Sequence, residues 1–158
     1  MAYKVFISHS ARDQGLVMAL SRQFVQFGVD VLVAEWYVQA GQPLSAKVRS
    51  QMEDSDCVVV LLTRDGQRSH WVQQEIGIAV RAGKLVIPLV EQGTPQEELG
   101  ILGGVEYISY DPTQPLAALD RASGFVKSLK ARKDEKQRAL LVTGGIVAFL
   151  LLLSAGSE

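Results

Sequence analysis

The stretch Cys57–Thr63 reads CVVVLLT, with no polar side chain before its final threonine. A strand that is apolar on both faces has to be covered on both faces. The sheet that provides this is a parallel one with helices packed on either side. The rest of the chain fits that demand. Tyr3–Ser8, Val29–Ala34, Leu85–Val90 and, more weakly, Val105–Ser109 are further β-branched or aromatic runs. Asp13–Phe27 repeats Leu16, Leu20, Phe24 and Phe27 at helical spacing, with Gly28 as its stop. Ser45–Glu53 reads as a short helix capped by Ser45, and Ser69 can cap a helix running to Ala82 before Gly83. Arg64–Arg68 is turn-like, Pro95–Leu102 a short helix or turn, and Leu116–Leu129 a last helix. The alternation predicts an α/β fold: a parallel sheet wrapped on both faces by helices. Ligands of such sheets gather at the carboxyl ends of the strands. The loops at 8–13, 35–44 and 63–69 should therefore form one rim.

Charge and composition narrow the function. The chain of 158 residues carries 16 basic and 17 acidic side chains. That balance excludes a nucleic-acid binder acting through a bulk positive field. The single cysteine, Cys57, supports neither a disulfide framework nor a cysteine-rich zinc site, and the two histidines lie far apart in sequence, so no metal is expected. Cys57 itself reads as a small apolar strand residue. The N-terminal MAYKVFIS enters a strand-like run without secretory-signal architecture.

The near-neutral average hides a split. Residues 1–129 carry 11 basic and 14 acidic residues, residues 130–138 five basic and two acidic. Ala139–Ala155 (ALLVTGGIVAFLLLLSA) has no charge at all. As a helix those residues would span about 26 Å, near the short end of membrane-crossing lengths. The segment is apolar all round, unlike a surface helix. The division expected is thus a globular domain at 1–129, a basic juxtamembrane linker at 130–138 and a transmembrane helix at 139–155. The basic linker predicts a single-pass protein with its domain on the cytoplasmic side and a short C-terminal tail outside. Gly144–Gly145 could allow close approach of two such helices.

Familiar phosphate-binding and hydrolase signatures are missing: no GxGxxG follows the first strand, and neither GxxxxGK[ST] nor GxSxG occurs. The strongest local pattern is Ser69-His-Trp-Val-Gln-Gln-Glu75. Trp71 and Glu75 lie four apart and are neighbours on one helix. Val72, Ile76, Ala79 and Val80 would face the sheet, with Trp71, Glu75, Ile78 and Ala82 on the adjoining stripe. A carboxylate between an indole and aliphatic groups is partly desolvated, which favours its neutral form. This makes Glu75 a candidate catalytic carboxylate. The plain alternative is a core tryptophan beside a solvated glutamate that favours a helix N-terminus. His70 reads as a surface residue.

Five stretches, taken in order, resemble a Toll/interleukin-1 receptor (TIR) domain of the bacterial or archaeal kind. They are Lys4–Asp13, Val33–Leu44, Ser55–Thr63, Ser69–Ala79 and Lys84–Leu89. The resemblance covers about residues 3–129 and implies a flavodoxin-like sheet of five parallel strands. Many members of the family cleave NAD at the nicotinamide–ribose bond with a glutamate in a WxxxE-type helix, which Glu75 matches. The resemblance further implies that Trp71 lines the ribose or nicotinamide site, that Ser8, His9, Ser10 and Ser69 lie near the substrate, and that Trp36, beside Glu35, belongs to a loop that mediates assembly or completes the NAD site. Many bacterial members have Tyr-Ser where this chain has Ser8-His9. NAD would be substrate, with no cofactor required. Partners implied are other copies of the domain, a defence or signalling protein, and membrane lipid. The functions this opens are a membrane-anchored NAD-hydrolysing or NAD-cyclising enzyme in antiviral defence or cell-death signalling, a non-catalytic self-assembling adaptor, or an effector that disrupts membranes on clustering.

Overall fold

The computed structural model describes residues 2–33 and 44–155, with residues 44, 45 and 140–155 as backbone alone. In chain order the elements are β1 (Tyr3–Ser8), α1 (Gln14–Gln26), β2 (Val29–Leu32), α2 (Leu44–Asp54), β3 (Cys57–Leu62), α3 (Arg64–Arg68), α4 (His70–Arg81), β4 (Leu85–Glu91), β5 (Ile108–Tyr110) and α5 (Pro115–Ala155). The strands form one sheet in the order β2-β1-β3-β4-β5, every adjacent pair parallel. All six residues of β3 are buried, as its composition required.

Two apolar layers flank the sheet. Val5, Ile7, Cys57, Val59, Leu61 and Leu89 meet Val17, Leu20 and Phe24 of α1 and Leu119, Ala122 and Val126 of α5 on one face. Phe6, Val58, Val60 and Leu62 meet Val48 and Met52 of α2 and Val72, Ile76 and Ala79 of α4 on the other. Burial pushes the Cys57 thiol up to about 11, so at neutral pH it is a protonated strand residue and no nucleophile.

Four expectations shift. Residues 64–68 are a short helix rather than a turn, because the Thr63 hydroxyl accepts from the Gly66 amide and caps it. The edge strand is Ile108–Tyr110 rather than 105–109; the Val105 amide closes a turn onto Leu102 instead. The β2 strand ends at Leu32, and the Ser45 cap lies outside the described side chains. The last helix does not stop at Leu129. No Gly or Pro interrupts residues 125–138, and α5 runs unbroken to Ala155.

The segment at 130–138 is thus helix, and it is tied to the domain. Lys133 Nζ lies 2.8 Å from Asp56 Oδ1 and 5.7 Å from the centre of the Tyr3 ring, at the amino ends of the strands. Lys130 pairs along the helix with Asp134 at 2.9 Å. Asp56 also accepts the Lys4 amide at 2.8 Å. Removing Asp56 therefore strands a backbone donor and leaves the ammonium the Ala2 carbonyl at 3.4 Å, whereas removing Lys133 leaves Asp56 one partner. Both side chains are about a quarter exposed, so Lys133→Ala is expected to cost only about 1 kcal/mol, and Asp56→Ala about twice that. Denaturant melts of both variants check the order, and a costlier Lys133→Ala contradicts it.

Among the described residues no helix is long and apolar enough to cross a membrane. The expected span at 139–155 falls, from residue 140 on, on side chains that lie outside the described residues.

Candidate active site

The rim at the carboxyl ends of the strands is built from three adjacent segments. The first follows β1. Ser8, His9 and Ser10 are all buried, and a 3-10 turn at Ala11–Asp13 leads into α1. Alternation along β1 puts Ser8 on the face of Phe6, beneath α2 and α4, opposite Val60 in the register. Its hydroxyl is buried with no hydrogen-bond partner among the described residues. Ser10 Oγ accepts from the Arg12 amide at 3.2 Å and closes the 3-10 turn.

The second segment follows β3. The Ser69 hydroxyl accepts from the Val72 amide at 3.3 Å, the cap expected for α4. Four residues of α4 are buried: Val72, Glu75, Ile76 and Ala79. Glu75 is 2% exposed, which overturns the solvated alternative for it. Trp71 and Ile78 are partly buried against the same cluster, while Val80, expected on the sheet-facing stripe, is exposed. His70 is exposed. The third segment is the end of β4, where the Glu91 carboxylate accepts from the Arg64 amide and ties the β3 and β4 rims together.

Trp36 and Glu35 lie outside the described residues, as does the rest of 34–43. Surface cavities formed by described residues alone lie elsewhere, and Glu75 lines none of these. An apolar one of about 420 Å³ runs from Leu85–Ile87 past Tyr107 to Arg121 and Phe125 at the β5 edge. A polar one of about 320 Å³ sits between Arg64, Arg68, Glu91 and Glu98. Among the described residues no group of three or more His, Cys, Asp or Glu could hold a metal ion.

One residue of the rim escaped the sequence reading as a site. Asp13 stands at the N-cap position of α1 yet makes no side-chain cap bond to its own helix. Its Oδ2 instead accepts from Thr63 Oγ1 at 2.6 Å, fifty residues away, and from Ser10 Oγ at 3.3 Å. Ser10-x-x-Asp13 looks like local turn chemistry, and nothing in a single sequence announces the Thr63 partner. Burial, reinforced by the Asp65 charge, pushes the Asp13 carboxyl above its ordinary range, against the two hydroxyl donors and the His9 charge, which lower it. A carboxyl raised in the folded state contributes stability below its unfolded titration range and loses that contribution as pH climbs through the folded one. Asp13→Asn keeps an acceptor oxygen without the charge. It should therefore equal or exceed the parent in thermal stability at pH 7, with the difference shrinking toward pH 4. A difference that widens on acidification would reverse the sign assigned here.

Residues 5–122 match the family model described as TIR domain. The chain belongs to the TIR domain family. It is 28% identical over 102 residues to a 2′ cyclic ADP-D-ribose synthase of Acinetobacter baumannii, a match covering 61% of this chain but only 38% of that protein. Among solved structures, this TIR domain superposes on the TIR domains of the activated Roq1 resistosome with a TM-score of 0.65 at 13% identity, over 79% of this chain and 99% of that one. The TIR domain of the Toll-related receptor TRR-2 of Hydra magnipapillata gives 0.58 at 16% identity, over 86% and 98%. A CMP N-glycosidase of Clostridium botulinum, BcmB, gives 0.60 at 17% identity, over 77% and 98%. These likenesses establish the five-stranded parallel fold.

Proposed function

We propose that this TIR domain cleaves NAD at the nicotinamide–ribose bond, with Glu75 as the catalytic carboxylate. The observation that carries the reading is a carboxylate 2% exposed in the second turn of α4, next to the half-buried indole of Trp71 and on the sheet face that also holds Ser8. The relative named as a 2′ cyclic ADP-D-ribose synthase supports it.

The chemistry asks little of the protein. The C1′–N bond breaks with its electron pair leaving on nicotinamide, which departs neutral. Positive charge develops over C1′ and the ring oxygen of the ribose. A carboxylate held out of water stabilises that charge more than it stabilises the ground state, and accepts hydrogen bonds from ribose hydroxyls. Water then attacks C1′ to give ADP-ribose and a proton, or a hydroxyl of the same molecule closes the ring and loses its proton. Trp71 would pack against the leaving nicotinamide or the ribose. Ser8, His9, Ser10 and Ser69 would supply polar contacts from the rim, and Trp36, with the segment around it, would close the site or join it to a second copy.

The proposal extends to placement. Residues 139–155 would cross the membrane with 130–138 on the cytoplasmic side, and the tether would raise the local concentration of domains and favour clustering. A defence or cell-death output fits an enzyme that consumes NAD when gathered. A scaffold reading draws separate support from the apolar cavity at the β5 edge, lined by the exposed Leu85, Val105, Tyr107 and Phe125, a surface suited to a second copy of the chain.

The deciding experiment follows nicotinamide release and product identity with the full chain in nanodiscs, dispersed and cross-linked into clusters, against Glu75→Gln. Turnover that depends on Glu75 supports the enzyme. Self-association without turnover in any clustered state moves the chain to the scaffold class. Toxicity in cells that survives Glu75→Gln but is lost on deleting 139–158 indicates membrane disruption.

A further inference from the structure

We infer that Asp13 is a positioning residue, fixing the entry of α4, and with it Glu75, against the loop after β1. This rests on the reading of Glu75 as the reacting carboxylate, and adds a residue that does not itself touch substrate.

The geometry is a continuous chain of hydrogen bonds across the rim. Ser10 Oγ and Thr63 Oγ1 both donate to Asp13 Oδ2, at 3.3 and 2.6 Å. Thr63 Oγ1 in turn accepts from the Gly66 amide at 3.0 Å. The Gly66 carbonyl accepts from the Ser69 amide at 3.2 Å, and the Ser69 hydroxyl accepts from the Val72 amide at 3.3 Å. Val72 lies one turn before Glu75 on the buried side of α4. The chain begins in the segment carrying Ser8, His9 and Ser10 and ends on the helix carrying Trp71 and Glu75. It runs beside the exposed Arg12–Asp65 ion pair, at 3.8 Å, which joins the same two loops at the surface.

Two features argue that the link is more than incidental surface bonding. An aspartate at an N-cap ordinarily spends its carboxylate on its own helix; this one leaves the capping of the helical entry to Ser10 and reaches across fifty residues. It also does so half-buried, where burial disfavours its charge. A group retained at local cost, on the line between two sets of site residues, is what precise placement of a carboxylate requires. Misplacement of a reacting group by an ångström is enough to slow a reaction by about a hundredfold.

The test uses the full chain in nanodiscs. Asp13→Ala and Thr63→Val each cut the chain, while Asp13→Asn and Thr63→Ser preserve an acceptor and a hydroxyl. Amide exchange in residues 8–13 and 63–72 is expected to quicken at least about tenfold in both cutting variants and to stay near the parent in both conservative ones. The kcat for NAD should fall about 10- to 100-fold in the cutting variants with KM changed far less, return to within about threefold in the conservative ones, and be no lower in the double variant than in either single one. Thr63→Val decides the matter if Asp13→Ala fails to fold. Unchanged exchange in both segments, Asp13→Asn as damaging as Asp13→Ala, or additive losses in the double variant would overturn the assignment. A parent chain without NAD turnover defeats the enzymatic reading instead; the exchange data then still decide whether Asp13 couples the two segments.

Discussion

Glu75→Gln is expected to lower nicotinamide release by about three orders of magnitude while leaving the fold intact. The size follows from charge and distance. A carboxylate about 4 Å from a developing ribosyl cation, at an effective dielectric constant of about 20, contributes about 4 kcal/mol, which is about 10³ in rate. Glutamine has the same shape, so the packing of Val72, Ile76 and Ala79 around position 75 is kept and a circular-dichroism melt should match the parent. If the charge acts only as the bond breaks, kcat and kcat/KM fall together. Glu75→Asp keeps the charge but withdraws it by one methylene, and a loss of about 10- to 100-fold is expected from misplacement alone. A Glu75→Gln chain that turns over NAD within a few-fold of the parent removes Glu75 from the reaction. A chain in which Asp and Gln are equally inactive shows that position counts as much as charge.

The fold was legible because its strongest signal was redundant. Cys57–Leu62 is apolar at every position, and all six residues are buried; alternating helices then leave few arrangements for the neighbouring strands. Where the reading slipped, the deciding contact was remote or the local signal weak. The β5 strand is three half-buried residues at an edge, set by pairing Leu89 with Ile108 rather than by any pattern of its own. The 64–68 helix depends on one threonine cap, in a stretch whose polar residues and glycine looked like a turn. Past Leu129 the composition changes but the helix does not, since helices end at breakers and none stands before the apolar run.

The site was half legible. Spacing put Trp71 and Glu75 together and Ser69 at the cap. It assigned Glu75 to a bordering stripe because a single helix on a sheet buries a narrow face. The buried face of α4 is instead turned toward Glu75 and away from Val80, on the side where α2 packs through Val48 and Met52. A wall supplied by another helix leaves no trace in the period of the first. The Asp13–Thr63 bond was beyond reach for a related reason, its partners lying in separate loops after separate strands. The register of β1 on β3, which pairs Ser8 with Val60, brings those loops together, and only the assembled sheet displays it.

The corner that carries this bond has little tolerance, and Gly66→Ala should show it as the largest stability loss among small substitutions. A Cβ at Gly66 would stand 2.0 Å from the Leu61 carbonyl oxygen, 3.1 Å from its carbon and 3.3 Å from Thr63 Oγ1. The nearest obstacle is backbone in the middle of the sheet, where Leu61 pairs with Leu89, so no rotamer change relieves it. Either α3 lifts away or the end of β3 bends, and both break the Thr63 bond to Asp13. Overpacking against side chains costs about 1–3 kcal/mol; against a strand backbone the cost should reach about 3 kcal/mol or more, a fall of about 10 °C in Tm for a domain of this size. Gly77→Ala supplies the control. It lies mid-helix in α4 with nothing within 4 Å of its added carbon, so better helix propensity should raise stability by about 0.5–1 kcal/mol. The two melts should move in opposite directions. A Gly66→Ala chain as stable as the parent would mean that the β3–α3 corner yields freely, and a corner that yields could not hold Asp13 or the start of α4 in place.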